Sequence, residues 1–289
     1  MTAKLALHAR PFATLLLALS LGGCQSAFFS ALDVATLRSD RVVESSHRYD
    51  AARELSLDRF CPAGASGAPM IVFFYGGSWE NGRREWYSFV GESLAASGIA
   101  VVIPDYRRYP AGVFPSFMED GARAVAWARE HAGDCGADPK RVYLAGHSAG
   151  AQIAGLLATD ARYLAAAGIG PGEIAGMIGI AGPYDFLPIT DEKLKTIFGP
   201  VSAHARSQPI AFVDGDEPPF LLLHGTDDRV VWLRNSERIA AKLEAAGVPV
   251  ELHRYPGIGH IRILAAITNE DSSAAPTRAD IVRFVGGGR

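Results

Sequence analysis

The residues in this chain with the clearest chemical potential are Gly146-His147-Ser148-Ala149-Gly150. Arg141-Val142-Tyr143-Leu144, a short β-branched and apolar run, precedes them. Ala151-Gln152-Ile153-Ala154-Gly155-Leu156-Leu157-Ala158 follows, with apolar residues at helical spacing. A Gly-x-Ser-x-Gly between a strand and a helix is a turn tight enough to strain the serine backbone and push its hydroxyl outward. The helix that starts there offers free N–H groups and the positive end of its dipole to a developing oxyanion.

A serine hydroxyl is a poor nucleophile until a base takes its proton, and the base needs a third group to hold its tautomer. In α/β sheets such groups gather in loops at the carboxyl ends of strands. That rule sorts the eight histidines. His8 falls in an N-terminal signal, His131 and His253 fall within elements, His47 sits on an early edge strand and His204 in an irregular stretch. His147 neighbours the serine and must point elsewhere, while His224 ends a strand at a glycine turn, where packing is the expected role. His260 lies in Pro256-Gly257-Ile258-Gly259-His260, directly after the last apolar strand, and is the expected base. The acid is expected one strand earlier, in His224-Gly225-Thr226-Asp227-Asp228-Arg229-Val230-Val231, where two adjacent aspartates diverge; Asp185 is an outside alternative.

The elements that must position these groups are legible as periodicity. Met70 to Tyr75, Ile99 to Ile103, Val142 to Ala145, Ile174 to Ile180, Phe220 to Leu223 and Val248 to Tyr255 read as strands, mostly apolar throughout and so buried on both faces. Trp86 to Ser97, Phe117 to His131, Trp232 to Ala246 and a last segment ending over Ala279 to Val285 read as helices. His47 to Asp58 reads as edge strands with a turn. Strand alternating with helix predicts an α/β fold, a mainly parallel central sheet with helices on both faces. Residues 186–218 read as an irregular, short cap-like insertion in a domain over residues 47–289.

Residues 1–23 read as a lipoprotein-type signal: Lys4 and Arg10, then an apolar run from Phe12 to Leu21 too short to span a bilayer. Leu21-Gly22-Gly23-Cys24 resembles the bacterial lipobox, which implies lipidation at Cys24, with residues 24–46 a tether or spacer containing a first helix or turn. Gln25 is not the aspartate associated with inner-membrane retention, so a periplasm-facing outer-membrane anchor is the expected location, or a secreted periplasmic one without the lipid. Cys61 and Cys135 are the other two cysteines, and nothing in the sequence decides whether they pair. The net charge of −3 and the lack of a basic run exclude nucleic acid as an expected partner. No His/Cys/Asp set has ligand spacing, so no metal and no cofactor are expected.

Taken together, the segments from about residue 50 to 289 resemble the α/β-hydrolase fold, and within it the esterase and hormone-sensitive-lipase-like group. The family's acid loop, His-Gly-Thr-x-Asp-x-x-Val, lands on Asp228, giving the serine, acid, histidine order Ser148, Asp228, His260. Its oxyanion loop, His-Gly-Gly-x-Trp, matches Gly76-Gly77-Ser78-Trp79 with Tyr75 replacing the histidine. The resemblance therefore implies an oxyanion hole from the N–H groups of Gly77, Ser78 and Ala149, which asks nothing of the Tyr75 side chain. Asp105-Tyr106-Arg107, Phe114-Pro115 and Glu119-Asp120 are similar to structural segments of arylformamidase-like and prenylcysteine-methylesterase-like members. The implied activity is that of a serine hydrolase, a carboxylesterase for small or aryl esters, with an arylformamidase acting on N-formylkynurenine-type amides as the near alternative. A peptidase of the prolyl-oligopeptidase kind lacks its propeller-length N-terminal region, and a binding protein on an inactive scaffold is at odds with three filled triad positions. Trp79, Tyr184, Phe186 and Ile261 are the expected pocket walls from their loop positions.

Overall fold

The computed structural model describes residues 39–268 and 275–287, and the signal segment, Cys24 and most of the spacer lie outside these. Eight strands form one sheet in the order β1-β2-β4-β3-β5-β6-β7-β8. They are β1 (Val42–Asp50), β2 (Leu55–Pro62), β3 (Ala68–Phe74), β4 (Ala100–Pro104), β5 (Ala137–His147), β6 (Gly176–Ile180), β7 (Phe220–Gly225) and β8 (Val250–Tyr255). β1 pairs antiparallel with β2 and β2 with β4, and every later pairing is parallel.

The apolar runs explain that layout. Met70 to Phe74, Val101 to Ile103 and Phe220 to Leu223 are all fully buried, as a sheet covered on both faces requires. The cover comes from helices α1 (Ser88–Ala96), α2 (Ser116–Glu130), α3 (Ala149–Thr159), α4 (Ala161–Ala166), α5 (Glu192–Phe198), α6 (Arg234–Ala245), α7 (Arg262–Ala265) and α8 (Thr277–Val285). α1 packs with α8 on one face, while α2, α3 and α4 pack together on the other, where α3 and α6 share the turn at Pro209–Phe212. The expected α/β class, with its mainly parallel sheet, is the observed one.

Several boundaries differ from the sequence reading. β1 begins at Val42, so residues 42–46 are strand and not spacer; they pair with β2, Val42 opposite Pro62 and Ser46 opposite Asp58. Their half-polar alternation is that of a solvated edge, which carries no strong apolar signal. The stretch 186–218 is partly regular: α5 starts where the Asp191 carboxylate caps the Leu194 N–H at 2.9 Å, and two 3₁₀ turns follow at Val201–Ser207 and Pro209–Phe212. α4 is capped in the same way by Asp160, whose Oδ1 accepts from the Arg162 N–H at 3.3 Å. These short helices are held by caps and tertiary contacts, which periodicity does not register.

Cys61 and Cys135 are joined in a disulfide, with Cα atoms 5.1 Å apart and a sequence separation of 74. It ties strand β2 to the 3₁₀ turn Ala132–Cys135 that leads into β5, the strand ending at the serine.

Candidate active site

The serine sits where β5 becomes α3. Ser148 has φ 55° and ψ −124°, a conformation that costs a side-chain-bearing residue about 1–3 kcal/mol. The flanking glycines make the turn possible: a Cβ on Gly146 would lie 2.3 Å from the Gly150 carbonyl group, and one on Gly150 2.0 Å from the Phe74 carbonyl oxygen. The strained residue is pinned on both sides, its N–H donating to the Ile180 carbonyl at 3.0 Å and its carbonyl accepting from Ala151 N–H at 2.9 Å.

Three loops at the carboxyl ends of β5, β7 and β8 bring the remaining groups together. The Ser148 hydroxyl is 2.9 Å from His260 Nε2, and His260 Nδ1 is 2.7 Å from Asp228 Oδ2. A carboxylate only accepts, so Nδ1 carries the hydrogen and Nε2 is free to take the hydroxyl proton. The other Asp228 oxygen accepts from the N–H groups of Val230 and Val231, both at 2.9 Å. His224, fully buried, places its Nε2 3.4 Å from Asp228 Oδ2 while its Nδ1 meets the Ser236 hydroxyl at 2.8 Å. Burial pushes the Asp228 carboxyl up, but the hydrogen bonds from His224, His260 and the Val231 N–H outweigh it and hold the group well below the usual carboxylate range. Asp227 is exposed and Asp185 is paired with Arg238 at 2.9 Å, so Asp228 alone of the three aspartates reaches His260.

Ser148 and His260 open onto a cleft of about 120 Å³ that is also lined by Gly76, Gly77, Ser78 and Ile261. The glycine loop turns through positive φ at Gly77, Ser78 and Trp79 (135°, 55° and 59°), and a Cβ on Gly77 would lie 2.2 Å from the Asn81 carbonyl oxygen. That crowding closes a tight turn onto Asn81, while Gly76 passes against the serine, where a Cβ would lie 3.1 Å from the Ser148 Cβ. Ala149, the first residue of α3, has an N–H with no acceptor within its own helix. Tyr75, which departs from the resembled motif, stacks on Tyr106 at 4.5 Å and takes no part in the cleft.

Of the four expected pocket walls only Ile261 lines the cleft. Tyr184 is fully buried, its ring seated where Gly155, Gly179 and Gly182 leave room for it, so it belongs to the core. Trp79 is buried too: its Nε1–H donates to Gln152 Oε1 at 2.9 Å and its ring meets Phe198 edge-on at 4.8 Å. Phe186 stacks on Trp79 at 5.8 Å and faces a neighbouring groove instead. The walls missed by sequence reasoning are Trp86, Tyr87 and Val230. Trp86 and Tyr87 lie on a 3₁₀ turn ten residues beyond the glycine loop, and no local pattern announces that this turn doubles back over it.

His147, expected to point elsewhere, instead forms part of the cleft wall, buried between the His260 loop and Tyr87. Its Nε2 is 3.0 Å from the His260 carbonyl, which only accepts, so Nε2 carries the hydrogen and Nδ1 accepts from the Tyr87 hydroxyl at 3.3 Å. That hydroxyl in turn accepts the Gly76 N–H at 3.0 Å. One unbroken chain of hydrogen bonds thus joins the glycine loop to the backbone of the base. Burial pushes His147 down to about 3, and the neighbouring His260 ring acts in the same direction, so the ring is neutral.

The fold and this arrangement define the class as α/β-hydrolase. Within that class the chain belongs to the BD-FAE family, whose match spans residues 57–243. It is 30% identical to the isoprenylcysteine alpha-carbonyl methylesterase ICME of Arabidopsis thaliana over 71% of this chain and 53% of that protein. It is 31% identical to the esterase LipC of Mycobacterium tuberculosis over 67% of this chain and 53% of that protein. The chain thus spans about half the length of these relatives. Among solved structures, an esterase from Pyrobaculum calidifontis superimposes with a TM-score of 0.76 at 20% identity, covering 93% of both chains, and esterase B from Lactobacillus rhamnosis with 0.78 at 20% identity and the same coverage.

The neutral His147 sets a pH dependence. An unfolded histidine binds its proton near pH 6.5, whereas the folded ring binds it only near 3. Between those values the unfolded chain holds more protons, so stability contributed by this site is complete above about 6.5 and falls as pH drops toward 3. The slope is at most about 1.4 kcal/mol per pH unit. Urea denaturation at pH 7 and pH 5 should show wild type losing about 1–2 kcal/mol more than His147→Gln, which keeps a donor for the His260 carbonyl but does not titrate. Equal losses in the two proteins would show that the folded ring takes up its proton as readily as the unfolded one, against a burial-lowered His147.

Proposed function

We propose that this chain is a carboxylesterase that cleaves small carboxylic esters through an acyl-enzyme on Ser148. The observation that carries the reading is the continuous Ser148–His260–Asp228 hydrogen-bond chain opening onto a small cleft beside Gly77 and Ser78. His260 Nε2 takes the hydroxyl proton as Ser148 Oγ attacks the carbonyl carbon. Asp228 holds the imidazolium that forms, and the N–H groups of Gly77, Ser78 and Ala149 receive the oxyanion. The proton then passes to the leaving alcohol, and water repeats the sequence to release the acid. Each oxyanion donor is worth about 3 kcal/mol of barrier. The cleft's 120 Å³ lies below the roughly 300–1,000 Å³ of drug-sized ligand sites, which favours short acyl groups. The names of the relatives, a methylesterase and an esterase, favour an ester over a formamide. The kinetic test compares kcat/KM on p-nitrophenyl acetate and on N-formylkynurenine. The ester should be preferred, Ser148→Ala should reduce turnover to background, and Asp228→Asn should reduce kcat by about 10⁴-fold. Preference for the formamide, or turnover surviving in Ser148→Ala, would overturn the assignment.

We also propose that the enzyme lies in the cell envelope, anchored to the periplasmic face of the outer membrane by lipid on Cys24. Two features support it: the Leu21-Gly22-Gly23-Cys24 pattern behind a short apolar run, and a disulfide between Cys61 and Cys135, a bond favoured in oxidising compartments. Mass spectrometry of the mature protein from a bacterial envelope should find an N-terminal Cys24 carrying acyl chains. An unmodified N-terminus, or one starting elsewhere, would refute the anchor.

A further inference from the structure

Beside the cleft runs a second, larger groove of about 360 Å³, walled by Phe186, Leu187 and Pro188 on one side and Val230 and Trp232 on the other. Val230 lines both cavities, so the groove adjoins the cleft. Among the described residues six large apolar side chains are exposed, and three of them, Leu187 (41%), Val230 (67%) and Trp232 (60%), meet here. Such a concentration on a soluble surface marks a binding site more often than chance exposure.

The walls are fixed by the catalytic machinery itself. The Val230 and Val231 N–H groups hang on Asp228 Oδ1, so the loop carrying Val230 and Trp232 is set by the carboxylate that orients His260. Asn235 locks the two sides together: its Oδ1 accepts from the N–H groups of Tyr184 and Asp185 at 3.1 and 3.0 Å, and its Nδ2 donates to the Trp232 carbonyl at 3.1 Å. Phe186 N–H is held by Gln208 Oε1 at 2.8 Å, and the Arg234 guanidinium lies over the Trp232 ring, 5.0 Å from its centroid. A ligand entering this groove would meet walls already in place, which lowers the ordering cost of binding.

We propose that this groove is the subsite for the alcohol arm of the ester, and that it takes an uncharged, ring-bearing alcohol stacked against Trp232. The inference rests on the esterase reading of Ser148. Its direction follows from proton transfer: the leaving oxygen must reach His260 Nε2, so the alcohol departs on the side walled by Ile261 and Val230, and Val230 is where the groove begins. The short acyl group then occupies the 120 Å³ cleft. Of the two charged side chains lining the groove, Asp185 is paired with Arg238 at 2.9 Å and the Arg234 guanidinium lies over the Trp232 ring, 5.0 Å from its centroid, so Phe186, Leu187, Pro188, Val230 and Trp232 supply the apolar surface that selects the arm.

The test uses three esters with unactivated alkyl alcohols: ethyl acetate, 2-phenylethyl acetate and ethyl 3-phenylpropanoate. They are compared in wild type, Trp232→Ala and Trp232→Phe. In wild type the phenylethyl ester should exceed ethyl acetate in kcat/KM. In Trp232→Ala that ratio should fall about tenfold, chiefly through KM, and Trp232→Phe should restore most of it. The ratio of ethyl 3-phenylpropanoate to ethyl acetate should not change. A fall in the phenylpropanoate ratio instead would assign the groove to the acyl arm, and no change in either ratio would show that it binds neither; both overturn the proposal. Failure of wild type to hydrolyse any of the three above Ser148→Ala would defeat the esterase reading itself.

Discussion

The structure depends on one constrained turn. At Ser148 the chain leaves the carboxyl end of β5 and enters α3 in a backbone conformation that only crowding by its surroundings sustains. Gly146 and Gly150 are there because the turn brings backbone atoms closer than a Cβ permits, and Gly150 in particular rests on the Phe74 carbonyl of the adjacent strand β3. The sheet order puts β3 and β6 on either side of β5, so the turn is braced by both neighbours: Phe74 from one and Ile180, through its carbonyl, from the other. A parallel sheet buried on both faces supplies the stiffness that this strain requires.

The same stiffness is carried outward to the other reacting groups. His147, buried at the wall of the cleft, links the His260 backbone to Tyr87 and through it to the Gly76 N–H. Asp228 holds His260 with one oxygen and its own loop with the other, with His224 and Ser236 behind it. The proposed base His260, acid Asp228 and oxyanion loop come from segments more than 70 residues apart in places, yet each is joined to the turn by no more than two or three hydrogen bonds. A network this short leaves little freedom for independent movement of its members, which is what a reaction requiring simultaneous attack and proton transfer needs.

How much of this was legible in the sequence depends on whether a residue's role is local. Gly146, Ser148 and Gly150 announce a tight turn between elements of opposite periodicity, and the loop positions of Asp228 and His260 follow from the rule that strand ends carry chemistry. Asp228 was separated from Asp227 by resemblance to a loop pattern, and the structure shows the physical difference: one is buried against His260 and the other exposed. The pocket was not legible. Tyr184 and Trp79 sit in loops at the correct end of the sheet, but three glycines leave room for the Tyr184 ring and the Gln152 side chain accepts the Trp79 indole N–H, and both rings are drawn into the interior. Trp86, Tyr87 and Val230 reach the cleft only through long-range folding of their turns. β1 escaped notice at its start because a solvated edge strand alternates weakly, and α5 because its signal was a single Asp191 cap.

The central claim is that the strained turn presents one activated hydroxyl to an oxyanion site. Its most direct test is covalent: incubation with an alkyl fluorophosphonate, then intact mass and peptide mapping. The account predicts one phosphonyl group per chain, on the peptide containing Gly146-His147-Ser148-Ala149-Gly150 and localised to Ser148. Absence of an adduct, or an adduct on any other residue, would contradict it.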